Sequence, residues 1–391
     1  MVFAAARARP VAATRRAIHC VSLLLLATCS LLSLPASGRE RWSEQQANAW
    51  YLQQPWLVGV NYIPANAINQ LEMWQAETFD PATIDRELGL AESIGMNTAR
   101  VFLHDLLWQQ DPAGFHTRID QFLAIAARHR IKVLFVLFDS CWDPEPRLGT
   151  QHPPIPGIHN SGWVQSPAAH TLEDPREYPR LRAYVEGVIG AFATDERILG
   201  WDLWNEPDNE GGTAYPKTDA RDKNRLIAAL LPQVYAWARA QNPRQPLTSG
   251  LWKGDWVAHD APSAFEQMQI EQSDVLSLHN YSWPEDFEQS VRWLQRFHRP
   301  ILCSEYMART VGSTFDLILP VAKRLRVAAI NWGLVLGKTQ TNFPWDSWQH
   351  PYIDHEPPVW LHDIFHADGT PYRPREVEII RSLTGAGGRH P

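Results

Sequence analysis

Short apolar runs alternate along this chain with amphipathic stretches, and that alternation is the strongest signal for its fold. The first apolar run, WLVGVNY at residues 56–62, precedes the stretch DPATIDRELGLAESIG, where Asp80 and Pro81 are typical of a helix start. Near-continuous apolar strands between helices are typical of a parallel sheet that helices cover. The runs predict eight strands, at residues 56–62, 97–103, 132–138, 198–204, 245–252, 274–281, 300–306 and 327–335.

The amphipathic stretches between the runs predict the helices that cover this sheet. Eight strand–helix units point to an α/β fold closed as a (β/α)8 TIM barrel rather than to an open doubly wound sheet. An open sheet would usually show a glycine-rich phosphate loop after an early strand, and GVNYIPAN at residues 59–66 is not such a loop. The predicted helices are residues 80–95, 118–130, one that begins near 174, 222–241, 263–272, 284–297, 314–326 and 374–383.

Length and composition fit one large domain behind a targeting segment. The 391 residues are 45% hydrophobic and 20% charged, which is globular composition, and α/β barrels fill about 250 residues or more as one domain. Arginines precede an apolar run at residues 17–34, and PASG follows, as in a secretory signal cleaved near Gly38. We therefore predict a signal peptide at residues 1–38 and a single barrel domain at residues 39–391, in a secreted or periplasmic protein.

Two other interpretations of the N-terminal segment stay open. It could be an uncleaved membrane anchor, or a lipoprotein signal at LATC, although the apolar run continues past Cys29. No later stretch reaches the ~18 apolar residues that a membrane helix needs, so we expect no membrane contact after cleavage.

Charge, tryptophan and cysteine content narrow the choice of partners. A formal charge of −7 argues against a nucleic-acid partner, which favours a basic face. The 18 tryptophans either fill the core or provide platforms for flat ligands such as sugar rings. Cys141 and Cys303 remain after the signal, on distant segments, so we expect two free, buried thiols, and their spacing suggests no metal site. We expect a monomer that needs no cofactor.

The candidate chemistry lies at the C-terminal ends of the predicted strands, where barrels of this type carry their sites. Two acids stand out, Glu206 after the fourth strand and Glu305 on the seventh, because glycoside hydrolysis needs two carboxylates around one bond. Either acid alone would more often be a solvated surface residue, but the whole set falls at the same end of different strands. The set is Asn61, Tyr62, Arg100, His104, Asp139, Trp142, Asn205, Glu206, Trp252, His279, Tyr281, Glu305, Trp332 and Lys338.

The two acids would need different surroundings, since one must stay protonated while the other stays ionised. Burial raises the pKa of a carboxyl group, and a nearby cation or hydrogen-bond donor lowers it. Arg100 and Tyr281 are the expected cation and donor beside Glu305, and an apolar wall of tryptophans is expected to flank Glu206.

Five segments of the chain resemble motifs of clan A glycoside hydrolases, with family five cellulases and mannanases, and some xylanases, as the proteins most like it. WDLWNEP at residues 201–207 is similar to the acid/base motif at the end of the fourth strand, and ILCSEY at 301–306 to the nucleophile motif of the seventh. The resemblance extends over roughly residues 55–340 and also includes GMNTARVFL at 95–103, LSLHNY at 276–281 and INWGLV at 330–335.

The resemblance implies a retaining hydrolase that cleaves a β-linked polysaccharide or oligosaccharide of mannan, glucan or xylan type by double displacement. Glu206 would be the general acid/base and Glu305 the nucleophile, with carboxyl groups ~5–5.5 Å apart. Of the other residues, Asn205 would bind the sugar 2-hydroxyl, Arg100 and Tyr281 would keep Glu305 ionised and oriented, His279 would contact the sugar or Glu206, Trp332 would lie under the sugar, and Asn61 and Trp142 would also bind substrate.

One departure from the family pattern leaves the sugar preference open. Many family-five enzymes carry a histidine after the third strand, whereas this chain has FDSCWD at residues 138–143. Asp139 or Trp142 would then replace the contact of that histidine with the sugar. We expect the reaction to be unaffected and the sugar that the site selects to be altered.

Long loops and two competing classes of function complete the sequence-based prediction. The loops at residues 65–75, 143–170 and 341–352 would either build stacking subsites along a cleft or close one side of it as an exo-acting pocket. A non-catalytic carbohydrate-binding barrel would keep the aromatic residues but would not need both acids. A metal-dependent hydrolase would need histidine and aspartate clusters at strand ends, which GVNY at 59–62 does not provide.

Overall fold

Parallel strands arranged as a ring form the centre of the molecule. The computed structural model describes residues 38–210, 215, 218–254 and 256–386. Its strands run in the order β5-β4-β3-β2-β1-β9-β8-β7-β6, and neighbouring strands are hydrogen-bonded in parallel. Their bounds are β1 Val58–Asn61, β2 Thr98–Phe102, β3 Lys132–Asp139, β4 Ile198–Asn205, β5 Leu247–Thr248, β6 Gly250–Leu251, β7 Leu276–His279, β8 Ile301–Tyr306 and β9 Ala328–Trp332.

The fifth barrel position is filled by two short strands instead of one. β5 pairs with β4 and β6 pairs with β7, and only Ser249 separates the two strands in sequence. The predicted strand at residues 245–252 is therefore real but broken at its middle. The prediction of an α/β TIM barrel is confirmed, with eight barrel positions and β8 and β9 as the seventh and eighth.

Helices cover the outside of this barrel. Strand residues are almost all buried, because their outward side chains pack on helices and their inward side chains fill the barrel. The helices are α1 Glu44–Leu52, α2 Gln70–Trp74, α3 Pro81–Ser93, α4 Asp105–Gln110, α5 Pro112–Arg128, α6 Ala169–Glu173, α7 Tyr178–Phe192, α8 Lys223–Ala240, α9 Trp256–His259, α10 Ala264–Gln272, α11 Pro284–Leu294, α12 Phe315–Leu325 and α13 Pro374–Thr384.

Aspartate–proline pairs set the starts of two of the longer helices. Asp80 caps α3 by accepting hydrogen bonds from the backbone of residues 82 and 83, as predicted, with Pro81 in the first turn. Asp111 and Pro112 do the same for α5, so this helix begins before the predicted residue 118. The predicted start near residue 174 is a short 3-10 turn, Pro175–Glu177, from which α7 continues.

Helix α1 closes the N-terminal end of the barrel and was not predicted. Ser43 and Gln46 form a capping box at its start, and Ala47 is its buried residue. One buried residue gives no apolar stripe, which is why the sequence pattern misses this helix. With Trp42, Trp50 and Tyr51 it packs on inward-facing residues at the start of the barrel, namely Leu57, Leu134, Leu199, Val275, Leu302, Ala328 and Ile330.

The remaining predictions about the chain have mixed outcomes. The predicted signal peptide lies outside the described residues, apart from Gly38, so the division at residue 38 stays a prediction. In the described part of the chain, no helix is long and apolar enough to cross a membrane. Cys141 and Cys303 are free, as predicted. Burial was predicted correctly for Cys303 and wrongly for Cys141, which is half-exposed because it faces a cavity.

Candidate active site

A cavity of about 640 Å³ opens at the C-terminal ends of the strands. This volume lies in the usual range of small-molecule sites, and the position is the one where TIM barrels carry their chemistry. Aromatic side chains and polar groups share its lining. The sequence-predicted residues that line it are Asp139, Trp142, Asn205, Glu206, Trp252, His279, Tyr281, Glu305 and Trp332.

Glu206 and Glu305 face each other across this cavity from the fourth and seventh barrel positions. One carboxylate oxygen of each acid and a ring nitrogen of His279 lie within 4.8 Å of one another. Glu206 directly follows β4 with a left-handed backbone, φ 40°, which a glutamate rarely adopts. Strained backbone of this kind is common where a functional side chain has to be aimed.

The carboxylate of Glu305 is held by a cation and a phenol. Nη1 of Arg100 donates to Oε1 at 2.7 Å, and the hydroxyl of Tyr281 donates to Oε2 at 2.8 Å. Both neighbours therefore bind the ionised form of Glu305 and fix its plane. They lie where the sequence analysis expected them.

Arg100 is fully buried, and a second acid balances its charge. Its guanidinium donates to Asp202 at 2.7 and 3.0 Å, and to the side-chain carbonyls of Asn61 and Asn205 at 2.9 and 2.7 Å. These partners lock the guanidinium in one orientation, so that Nη1, which also donates to Asn61, directs its other N–H to Glu305. Asn61 thus supports Arg100 and does not line the cavity, where direct substrate contact was predicted for it.

The side chains that form hydrogen bonds with Glu206 are uncharged. The amide of Asn209 donates to Oε2 at 2.7 Å, the thiol of Cys141 donates to the same oxygen at 3.2 Å, and Nδ1 of His279 is 2.8 Å from Oε1. The sequence analysis named neither Cys141 nor Asn209 as a site residue. For Asn209 the sequence carried a signal, its position in the turn after Asn205-Glu206-Pro207. In this turn the backbone N–H of Asn209 donates to the carbonyl of Glu206, which brings the two side chains together.

Burial raises the pKa of both carboxyl groups, Glu206 and Glu305, above the usual range. For Glu206 the hydrogen bonds from Asn209 and Cys141 oppose the effect of burial, and for Glu305 the charge of Arg100 and the hydrogen bond from Tyr281 oppose it. Arg100 contacts Glu305 directly and Glu206 only at a distance. The guanidinium therefore favours the ionised form of Glu305 more than that of Glu206. Burial lowers the pKa of His279 to about 4, so that this ring is neutral at neutral pH.

His279 is positioned by a close approach of the barrel backbone. A Cβ atom added to Gly250 would lie 3.0 Å from Nε2 and 3.1 Å from Cε1 of His279. Gly250 begins β6, next to the break in the fifth barrel position. The absence of a side chain there leaves room for the imidazole to lie against the strand and reach Glu206.

Asn205 and Asp139, which also line the cavity, are joined by a hydrogen bond. The amide nitrogen of Asn205 donates to Asp139 at 2.8 Å, and Trp163 donates its indole N–H to Asp139 at 2.7 Å. Burial raises the pKa of Asp139 to about 6. These contacts fix which face of the Asn205 amide is turned toward the cavity.

Aromatic rings line two sides of the cavity. Trp332 stacks on Phe102 with ring centroids 5.6 Å apart and meets the edge of Trp163 at 5.5 Å, which gives it a fixed face. Trp142 stacks on Trp348 with ring centroids 5.5 Å apart. Trp142 and Trp332 thus lie in the site, as does the predicted Trp252. Two of the rings that hold the first two, Trp163 and Trp348, belong to the long loops that were expected to form the cleft.

Three residues predicted at strand ends lie elsewhere. Tyr62 donates to Glu87 at 3.0 Å under helix α3, and His104 caps α4 while its ring bonds a backbone carbonyl. Lys338 forms an ion pair with Glu72 at 2.5 Å. None of the three lines the cavity. Strand alternation and the length of the loop after β9 turn these side chains away from it.

The only described group of three side chains that could hold a metal ion consists of Glu206, His279 and Glu305. A cation there would lie next to the guanidinium of Arg100, which is 2.7 Å from Glu305. That fixed positive charge opposes metal binding, so the same oxygens are better suited to protons and to a developing positive charge on a substrate.

Comparisons with known proteins agree on the fold. No family model and no curated protein sequence matches the chain. A GH5_18 variant from Streptomyces cattleya in complex with Manb1-4GlcNAc superposes with a TM-score of 0.56 and 14% identity, covering 86% of this chain and 82% of that one.

Two further solved structures are similar. The exo-beta-1,4-mannosidase Op5Man5 from Opitutaceae bacterium strain TAV5 superposes with a TM-score of 0.55 and 19% identity, covering 85% of this chain and 60% of that one. The beta-mannanase from the blue mussel Mytilus edulis superposes with a TM-score of 0.50 and 17% identity, covering 75% of this chain and 89% of that one. This chain therefore has the TIM-barrel fold that GH5 proteins have.

Proposed function

We propose that this protein is a retaining β-glycoside hydrolase of the GH5 type. The observation that carries the proposal is the pair Glu206 and Glu305, with oxygens within 4.8 Å and different neighbours. Retaining glycosidases hold their carboxyl groups ~5–5.5 Å apart, while inverting enzymes leave room for a water molecule between them. The short separation therefore supports retention.

The first step would transfer the sugar to Glu305. One oxygen of Glu305 attacks the anomeric carbon, the glycosidic C–O bond breaks, and the proton of Glu206 moves to the leaving oxygen. Arg100 and Tyr281 keep Glu305 ionised and oriented before attack. Asn205 would accept a hydrogen bond from the 2-hydroxyl of the sugar, because its carbonyl has a lone pair left beside Arg100.

The second step would release the sugar by hydrolysis. Glu206, now ionised, accepts a proton from water while the water oxygen attacks the same anomeric carbon, and the bond to Glu305 breaks. Asn209 and Cys141 donate to Glu206 and so stabilise its ionised form between the steps. Nδ1 of His279 can accept a hydrogen bond from protonated Glu206 and, in the other tautomer, donate one to ionised Glu206.

We propose a β-linked saccharide built from mannose or glucose as the substrate. The solved structures with this fold include a mannosidase, a mannanase and a GH5 cellulase, and one holds Manb1-4GlcNAc. The fixed face of Trp332 beside Glu305 is suited to one face of a sugar ring. We also propose that residues 1–38 direct the protein out of the cytoplasm and are removed.

The proposal is tested with Glu206→Gln and Glu305→Gln on aryl β-glycosides. We expect Glu305→Gln to lose at least about a thousandfold in kcat. Glu206→Gln should lose about a hundredfold to ten-thousandfold on a glycoside with a poor leaving group and far less on a dinitrophenyl glycoside. Proton NMR of the first product should show the β anomer.

Glu87→Gln is the matched control, because this buried acid lies on α3, outside the cavity. It should turn over substrate like the wild type. Unchanged turnover in both site variants would rule out the assignment. Saccharide binding without hydrolysis in the wild type would favour the non-catalytic binding barrel instead.

A further inference from the structure

Two loops interlock above one side of the cavity. We call them the bridge: residues 155–163 of the loop after β3, and residues 339–352 of the loop after β9. The backbone N–H of Asn160 donates to the carbonyl of Thr339 at 2.8 Å, and that of Tyr352 donates to the carbonyl of Gly157 at 3.0 Å. The backbone N–H of His159 donates to the hydroxyl of Ser347 at 2.9 Å.

The bridge crosses the ends of β1 and β2, because these two strands lie between β3 and β9 in the barrel. It is tightly packed: a Cβ atom on Gly157 would come within 2.4 Å of the backbone of Tyr352. In the described part of the chain, no residue from 62 to 80 lines the cavity. The first loop thus contributes no side chain to the cavity, and the bridge lies between that loop and the cavity.

The chemistry defines which end of the cavity the bridge closes. The sugar that Glu305 attacks must lie over Glu305 and Trp332, which are on adjacent barrel strands. Trp163, on the bridge, packs on Trp332. The leaving group must lie on the side of Glu206, where Asp208 accepts from the indole of Trp252 at 2.6 Å. The bridge therefore closes the end that receives the transferred sugar.

Asn160 is the unusual residue of the bridge. It lines the cavity, it is only 1% exposed, and neither its amide nitrogen nor its carbonyl oxygen has a hydrogen-bond partner in the described structure. An unsatisfied buried polar group costs about 1–3 kcal/mol. Its backbone is left-handed, φ 49°, which asparagine tolerates better than most residues.

An amide with both ends unpaired, at the closed end of a sugar site, is suited to a pair of hydroxyl groups. Its nitrogen can donate to one hydroxyl and its oxygen can accept from the neighbouring one. Sites that hydrogen-bond a hydroxyl discriminate strongly against analogues that lack it, because the site group is then left unpaired. In a β-1,4-linked chain, the non-reducing terminal sugar carries one hydroxyl that internal sugars lack, the 4-hydroxyl, which lies next to the 3-hydroxyl.

We propose that the bridge ends the cavity one sugar beyond the carboxylates, so that single sugars are removed from non-reducing ends, and that Asn160 binds hydroxyls of that terminal sugar. The inference rests on the proposed glycosidase function and adds its mode of action and a specificity-determining residue. Asn160 acts on substrate recognition and takes no part in the proton transfers.

The mode of action is tested with a β-linked hexasaccharide that carries a fluorescent tag at its reducing end. Its sugar is the one whose aryl β-glycoside the wild type hydrolyses with the highest kcat/KM. We expect tagged products that shorten by one sugar at a time, with release of the monosaccharide. Short tagged fragments in the first cuts, or an uncut hexasaccharide, would overturn the inference. If aryl β-glycosides are not hydrolysed either, the proposed function itself has failed, which separates the two results.

The role of Asn160 is tested with Asn160→Ala, assayed on an aryl β-glycoside and on its monodeoxy analogues. We expect kcat/KM to fall about tenfold to a hundredfold on the intact sugar. On the analogue that lacks the bound hydroxyl, the variant should come within about twofold of the wild type. An equal loss on every analogue, or no loss on the intact sugar, would contradict the proposal.

Asn242→Ala is the matched control. Asn242 is exposed, does not line the cavity and has the same left-handed backbone, φ 50°. An alanine there reproduces the backbone strain without removing a side chain that faces the substrate. The activity of this variant should match that of the wild type, because it carries the same backbone strain outside the cavity. Asn160→Gly removes the side chain without this strain and is used if the alanine variant does not fold.

Discussion

At the residue scale, the two candidate catalytic acids differ in their neighbours and not in their burial. Glu305 contacts a guanidinium, whereas Glu206 contacts an amide, a thiol and a neutral imidazole. Burial raises the pKa of both, so the single charge of Arg100 decides which acid ionises first. Small changes around Glu206 should therefore be visible in the pH dependence of the reaction.

The thiol of Cys141 offers the most direct test of this idea. It donates to Oε2 of Glu206, and that hydrogen bond lowers the pKa of Glu206. In Cys141→Ala the pKa of Glu206 should rise. Since the reaction needs protonated Glu206, the alkaline limb of kcat/KM against pH should move to higher pH. Maximal kcat/KM should stay within about tenfold of the wild type.

Cys141→Ser is the control, because a hydroxyl donates to Glu206 as the thiol does. Its alkaline limb should lie close to that of the wild type. If alanine and serine shift the limb equally, or if neither shifts it, the thiol does not act on Glu206 through a hydrogen bond.

Gly250 should be needed for the position of His279. Gly250→Ala places a methyl group about 3.0 Å from Nε2, closer than most carbon contacts, and the ring has to move away from Glu206. We expect kcat/KM to fall about tenfold, since a small misplacement of a site group is costly. Gly89→Ala is the matched control: the added Cβ lies 3.4 Å from another imidazole, that of His129, on a helix surface. It should keep full activity and gain about 0.5–1 kcal/mol of stability.

At the element scale, regular strands and helices were predictable, while the site partners on loops were not. The apolar runs gave every barrel position, and Asp80 gave the start of α3, because period and capping are local properties. The stack of Trp142 on Trp348 joins residues 206 positions apart, and no local pattern indicates such a contact. Helix α1 was missed because it covers the barrel end with one small buried residue, Ala47, and so shows no apolar stripe in the sequence.

A buried ion pair holds the loop after β9, which carries half of the bridge. Arg309 donates to Glu376 at 2.7 Å and to the carbonyls of Trp360, His362 and Asp363. Arg309→Gln leaves the buried Glu376 with only the more exposed Arg373, 3.4 Å away, and breaking a buried pair typically costs about 3–5 kcal/mol. We expect a loss of that size in the free energy of unfolding, measured by urea titration, and a lower affinity for saccharide. Arg324→Gln breaks an exposed pair with Glu288 and should change little; equal losses would contradict the argument.

At the scale of the whole molecule, chemistry and closure lie at opposite ends of the barrel. The cavity lies at the C-terminal ends of the strands, and residues 39–52 cover the N-terminal ends. This separation is typical of TIM barrels, in which one end tolerates functional variation while the other supports stability. The sequence predicted the functional end through its motifs and did not predict the closure of the other end.

The segment before α1 should therefore matter for stability and not for activity. Asp274 is fully buried, accepts from Arg39 at 2.5 Å and from the backbone N–H of Trp42 at 2.8 Å, and is the main anchor of this segment. A chain that begins at Gly38 keeps both contacts, and one that begins at Ser43 loses them. We expect the shorter chain to lose about 3–5 kcal/mol of unfolding free energy, because a buried charge is left without its partner.

The shorter chain should nevertheless keep the kcat/KM of the chain that begins at Gly38, assayed well below its melting temperature, because no residue of this segment lines the cavity in the described structure. Arg39→Met in the longer chain isolates the ion pair and should reproduce a large part of the stability loss. Equal stability of the two chains would show that α1 closes the barrel without help from Asp274. A fall in kcat/KM at full folding would show that the two ends are coupled, which the geometry of the barrel argues against.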